Sequence, residues 1–209
     1  MTKVLVLGAG GQIARWAVAM LAEQGVELTL FARDKNRLAD VPAGAQVVEG
    51  DVLDRAALTE AVRGQDIVYA NLAGTIDEQA RLIVETMNAE GVRRLIFVTA
   101  LGIYDEVPGE FGAWNRQTIG ASILDTYAAA SDVIEASALD YTVLRPAWLS
   151  DADEVDFEVT GRDEPFKGTT VSRKSVAALV AQIVASPEKY VRDNLGVNMP
   201  GTDGPRPVW

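Results

Sequence analysis

The stretch KVLVLGAGGQIA, Lys3 to Ala14, decides the reading of the whole chain. KVLVL is apolar without alternation, too short for a helix and rich in Val and Leu, the pattern of a strand covered on both faces. Glycines follow at once, and then Ile13, Ala17 and Leu21 recur at helical spacing until Gly25 closes the helix. A strand, a glycine turn and a helix in that order read as the start of a dinucleotide-binding unit, the plainer alternative being only a tight strand–helix turn. In such a unit backbone N–H groups at the helix N-terminus hold a pyrophosphate, and glycine is required where a side chain would block the approach. The spacing G-x-G-x-x-G fails, because Ile13 stands in the third place; Gly8, Gly11 and the small Ala14 supply the working pattern, with Gly10, Gln12 and Ile13 beside them.

Outward from this unit, short apolar runs alternate with helical patterns. VELTLFA (26–32), QVVEG (46–50), DIVYAN (66–71), RLIFVTA (94–100) and YTVLRP (141–146) read as strands two to six. Helices are expected near 34–39, 54–63, 76–90, 125–136 and 172–185, and NLGVNMPG (194–201) reads as a short last strand. Such alternation implies parallel pairing with right-handed crossovers: an α/β, doubly wound parallel sheet with helices on both faces. Residues 1–209 are read as one domain, with 146–171, weakly periodic and acidic, as a surface loop or small cap near the site.

Composition narrows the chemistry. The 209 residues include no cysteine and no histidine, which removes disulfides, thiolate ligands and the commonest metal ligand and general base. No metal site is expected, and acid–base work falls to Tyr, Lys, Asp, Glu or a cofactor. A net charge of −11 argues against nucleic acid as a partner. With no signal-like start and no apolar run near the length of a membrane span, the expectation is a cytoplasmic protein without a membrane partner.

Strand two ends in Ala32 and Arg33, where an NAD-specific site usually has an acid, and Lys35 and Arg37 follow. Arginine suits bidentate phosphate contact, which favours the 2′-phosphate of NADP, with NAD as the alternative. The plainer reading is a solvated helix start capped by Asp34. Asp51 and Val52, after strand three, are placed to meet an adenine, although Asp51 also reads as a cap for the next helix. Asn71, Leu72 and Ala73 close strand four beside the expected cofactor ribose.

Together these residues resemble the atypical short-chain dehydrogenase/reductases, in particular the NmrA-like and NAD(P)H:flavin-reductase-like branch. The resemblance rests on GAGGQIA (8–14), Arg33, GDV (50–52), FVTALGIY (97–104) and SALDYTVLRPAWL (137–149), and covers about residues 3–186. It implies a Rossmann-type fold, a bound nicotinamide nucleotide, and an approach of the backbone at Arg145, Pro146 and Ala147 to the nicotinamide. Carbonyl-reducing relatives carry a Ser or Thr at the end of strand five and Tyr-x-x-x-Lys on the following helix. This chain has Thr99 (or Ala100, in another alignment) and Tyr127, with Ser131 in the place of lysine.

A free tyrosine titrates near pH 10, and an uncharged serine cannot lower that value. Tyr127 and Thr99 are therefore expected to orient a substrate rather than supply a strong acid; Tyr127 reads equally as a half-buried helix residue. The reaction that fits is hydride transfer from NADPH to a flavin, quinone or similar conjugated acceptor, which needs two rings held in contact and no strong protein acid. Tyr104, Phe111, Trp114 and Trp148 follow strands five and six and as a set are candidates for the pocket wall, although any single one reads more simply as packing beneath a loop. Two alternatives remain: a non-catalytic, NADP-binding regulator of the NmrA type, and a carbonyl reductase or epimerase with an incomplete Tyr-Lys motif, in which another residue replaces the lysine. Lys167 and Lys174 are too far along the chain for the sequence to place them in that role.

Overall fold

A computed structural model describes all residues from Met1 to Trp209. The chain opens with β1 (Lys3–Leu7), α1 (Gln12–Glu23), β2 (Glu27–Ala32), a single 3₁₀ turn at Lys35–Arg37 and β3 (Gln46–Glu49). It continues through α2 (Arg55–Val62), β4 (Ile67–Ala70), α3 (Ile76–Glu90), β5 (Arg94–Val98), α4 (Gly109–Ile119), α5 (Ala121–Glu135) and β6 (Asp140–Pro146). The short strands β7 (Trp148–Ser150), β8 (Glu158–Thr160) and β9 (Thr170–Ser172) precede α6 (Arg173–Ala185) and β10 (Asp193–Asn198).

The main sheet has the order β3-β2-β1-β4-β5-β6-β10-β8, parallel throughout except for β8, which runs antiparallel to β10 at the edge. β1 lies in its interior, and Val4, Leu5, Val6 and Leu7 are all fully buried. Their alternation divides the core. Val4 and Val6 face the α1/α6 layer, whereas Leu5 and Leu7 face the layer of α2, α3 and α5. The expected fold class is the one observed: an α/β, mostly parallel sheet with helices on both faces, the Rossmann arrangement.

Chain direction across the sheet reverses between β1 and β4. In open α/β sheets ligands bind at such a reversal, outside the carboxyl ends of the strands. The ends of α1 and α2 also show how local chemistry sets the boundaries. Gly25, at φ +71°, follows the last turn of α1 in the left-handed conformation that favours glycine. Asp54, and not Asp51, caps α2, accepting from Ala56 N at 3.0 Å and Ala57 N at 3.2 Å.

Three elements differ from expectation. The helix expected near 34–39 is only one 3₁₀ turn. An additional helix, α4, lies between β5 and α5 and is separated from α5 by Gly120 at φ +89°. The stretch 146–171 contains β7 and β8, and β7 pairs with β9 in a separate two-stranded sheet.

Candidate functional site

A cleft of about 730 Å³ opens at the chain reversal. Of the residues singled out in the sequence, Gly8, Gly10, Gly11, Gln12, Ile13, Arg33, Arg37, Asp51, Val52, Asn71, Leu72 and Ala73 all line it. Thr99, Tyr127 and Pro146 do not belong to its lining. Gln79, Leu149 and Arg173 do, and none of these was expected.

The glycine turn is built for two different reasons. Gly8 has φ +77°, and a Cβ there would overlap the Asn71 carbonyl oxygen; at Gly11 a Cβ would lie 2.5 Å from Asn71 Nδ2. Both glycines therefore let the end of β4 pack against the turn. Gly10 is different: its backbone needs no positive φ, and the nearest atom to an added Cβ, Arg37 O, would be 3.5 Å away. The protein itself leaves room for a side chain at position 10, which lines the cleft.

Donors are available at the same place. Gly8 N and Ala9 N donate to Phe31 O, and Gly11 N to Gly8 O, but the N–H groups of Gly10, Gln12, Ile13 and Ala14 have no partner in the chain. Unpaired amides at the start of a 12-residue helix make a ready anion site, since the partial positive charge of the helix end adds to the hydrogen bonds. Gln79 carries a second free group. It is 8% exposed, its Nε2 donates to Ala73 O at 3.3 Å, and its Oε1 is buried in the cleft wall without a donor. The free amides suit an anionic group, and Gln79 Oε1 suits a donor such as a hydroxyl.

Of the three cations after β2, Arg33 and Arg37 are exposed, line the cleft and pair with no acid, whereas Lys35 pairs with Glu49 at 3.5 Å and lies outside the lining. Asp34 caps the 3₁₀ turn, accepting from Asn36 N at 2.9 Å. Asp51 Oδ1 accepts from Leu53 N at 2.9 Å, an Asx turn that fixes its carboxylate beside Val52.

The tyrosine and its neighbours are arranged differently from a Tyr-x-x-x-Lys site. Tyr127 is half-buried against the core layer of α2, α3 and α5, and burial pushes its hydroxyl pKa above the ordinary value. Ser131, fully buried, serves another tyrosine: its Oγ lies 2.6 Å from Tyr104 Oη. Tyr104 Oη is also 2.8 Å from Glu135 Oε1 and accepts from Asn194 Nδ2 at 2.9 Å. Burial is the largest influence on Tyr104 and pushes it up to about 12, with the Ser131 bond opposing and Glu135 reinforcing. Thr99 Oγ1 donates to Leu144 O at 3.1 Å.

Arg145 belongs to the same buried network. Its side chain is fully buried and pairs with Glu106, 5% exposed; Nε donates to Asn194 Oδ1 at 2.7 Å and Nη2 to Gly161 O at 3.1 Å. Glu106 in turn accepts from Gly102 N and Tyr104 N, each at 2.9 Å, and so holds the loop after β5. The expected aromatic set divides accordingly. Tyr104 joins this network, while Phe111 stacks on Trp114 at 6.0 Å and Trp114 meets Trp148 at 4.8 Å. Trp148 Nε1 donates to Asn115 Oδ1 at 2.9 Å, which fixes the indole.

Fold and cleft together define a dinucleotide-binding protein of the Rossmann type. The chain belongs to the NAD(P)H-binding family, whose profile matches residues 8–187. A Rossmann-fold NAD(P)-binding family protein from Shigella flexneri is 50% identical, with a TM-score of 0.87 over 100% of this chain and 99% of that one. A short-chain dehydrogenase/reductase from Veillonella parvula, solved in complex with NADP, is 27% identical, with a TM-score of 0.94 over 100% of this chain and 99% of its own. Among curated proteins, the (4-alkanoyl-5-oxo-2,5-dihydrofuran-3-yl)methyl phosphate reductase of Streptomyces griseus subsp. griseus is 31% identical over 108 residues, 52% of this chain. The matched stretch spans only 38% of that enzyme's length. The protein is thus an NAD(P)-binding chain with an oxidoreductase-like fold related to the short-chain dehydrogenase/reductases. No helix is long and apolar enough to cross a membrane.

Proposed function

We propose that the chain is an NADPH-dependent reductase that delivers hydride to a flat conjugated acceptor such as a flavin or quinone. The observation that carries this reading is the cleft, where unpartnered amides at the start of α1 and the unpaired Arg33 and Arg37 meet. Gly10, Gln12 and Ile13 hold the pyrophosphate, Arg33 and Arg37 the 2′-phosphate, Asp51 and Val52 the adenine, and Asn71 to Ala73 border a ribose. NADPH supplies the hydride. The acceptor takes both electrons, and its proton comes from water, because no side chain of the site is a well-tuned acid. Burial raises the Tyr127 hydroxyl rather than lowering it, and Ser131 is engaged with Tyr104.

Trp114 and Trp148, half-buried with Phe111 packed in the core behind them, are the aromatic faces against which a flat ring stacks, with Thr99 and Tyr127 as orienting groups at most. The Streptomyces relative's name describes reduction of an oxo-dihydrofuran, a ring whose double bond is conjugated with carbonyls, and that chemistry supports the choice of acceptor. Steady loss of NADPH absorbance with riboflavin phosphate or a simple quinone is the expected result. Tight NADPH binding without oxidation of any acceptor favours the second reading, a regulator of the NmrA type, which the lack of a tuned acid also supports.

A carbonyl reductase or epimerase would depend on Tyr127. Tyr127→Phe is expected to change turnover by no more than a few-fold, whereas loss of about 10²-fold or more indicates a proton donor and defeats the orienting role. Cofactor preference has its own test. Arg33→Ala is expected to raise the Kd for NADPH about tenfold or more and to leave NADH nearly unchanged. Equal losses for the two nucleotides rule out the phosphate role.

A further inference from the structure

The acidic segment after β7 is fastened to the first turn of α6. Asp151 Oδ1 accepts from Arg173 Nη1 at 2.8 Å, Asp153 Oδ1 from Lys174 Nζ at 2.5 Å, and Glu154 O from Ser172 Oγ at 2.8 Å. Arg173 also lines the nucleotide cleft. Its helix packs on α1, and Lys174 Nζ stands 5.2 Å from the centre of the Trp16 ring, so the start of α6 lies beside the N-terminal half of α1.

The bonding of this arginine is incomplete. Its side chain is 17% exposed, its Nε is buried without a partner, and Nη1 alone makes hydrogen bonds, to Asp151 and, at 3.4 Å, to Leu149 O. A guanidinium offers five N–H donors, and burying one unpaired is costly. The Asp151 side chain is 83% exposed, so its carboxylate is well hydrated and a weak competitor for the arginine.

We propose that Arg173 is a further nucleotide ligand: its guanidinium is held in reserve by Asp151 and clamps the pyrophosphate at the amides of Gly10, Gln12 and Ile13. This rests on the nucleotide reading above. The pyrophosphate is the assigned target, and not the 2′-phosphate, because Arg173 comes from the helix beside α1, whereas Arg33 and Arg37 come from the loop after β2. The acidic strap supplies a surrogate anion, displaced when the nucleotide binds.

Calorimetric titration of the purified full chain with NADPH and with NADH tests the clamp. Both nucleotides carry the pyrophosphate, so Arg173→Ala is expected to weaken both about tenfold, unlike the selective loss expected at Arg33. Asp151→Asn removes the competing charge and is expected to tighten both about two- to fivefold. An arginine that only anchors the strap gives an Asp151→Asn variant with unchanged or weaker binding, and that result overturns the proposal. So does an Arg173→Ala variant that binds within about twofold of the unaltered chain. Should Arg173→Ala not fold, Arg173→Lys takes its place: weaker binding supports the clamp, and equal binding overturns it. If the unaltered chain takes up neither nucleotide, the nucleotide reading itself fails; if it binds and the variants do not differ from it, only the clamp fails.

Discussion

Replacing Arg145 with methionine is expected to cost about 3–5 kcal/mol of stability, the range for breaking one side of a buried ion pair. Methionine retains much of the apolar stem but leaves Glu106, 5% exposed, as an uncompensated buried carboxylate. It also removes the donors to Asn194 Oδ1 and Gly161 O. For a chain of this length each kcal/mol lowers the melting midpoint by about 2–4 °C, so a fall of roughly 6–20 °C is expected in a thermal melt. A shift of less than about 2 °C would mean that the network is replaceable by packing, as some buried ion pairs are. The double change Arg145→Met, Glu106→Gln separates the two accounts: it is expected to recover part of the loss, since no charge is then left buried.

The second large effect belongs to Gly10. Gly10→Val is expected to weaken NADPH and NADH binding by more than about a hundredfold, the equivalent of losing two charge-assisted hydrogen bonds to the pyrophosphate. Stability is expected to change by less than about 1 kcal/mol, because position 10 is not in the left-handed conformation and an added Cβ meets nothing nearer than 3.5 Å. Gly8→Val offers the contrast. There a positive φ and the Asn71 carbonyl make the same replacement destabilising, so binding is lost together with the fold. Titration and thermal melting of the two variants side by side distinguish them. Retained nucleotide affinity in a folded Gly10→Val chain would remove the turn from the binding site.

How much of this was readable in the chain beforehand depends on the range of each signal. β1 to β6 and most of the helices between them follow from local periodicity, and the glycine turn from a spacing contained within seven residues, Gly8 to Ala14. α4 escaped because Gly109, Gly112 and Gly120 punctuate it, and because its apolar face is little more than Phe111 and Trp114. β7, β8 and β9 are three residues each, too short for an alternation to register. Gln79 and Arg173 reach the cleft from the first turns of α3 and α6, far along the chain from the glycines, and nothing adjacent in the sequence marks either of them. Ser131 shows the converse limit. Helical spacing places it one turn from Tyr127, but tertiary packing gives its hydroxyl to Tyr104.

The strand order has a last consequence. β2, which ends at the arginines, and β6, which leads to Trp148, are separated by β1, β4 and β5, so at about 4.8 Å per strand the two ends lie roughly 19 Å apart. Under the proposed function, hydride donor and acceptor are read by separate loops on a rigid ruler. A lineage, or an engineer, could exchange one loop without retuning the other.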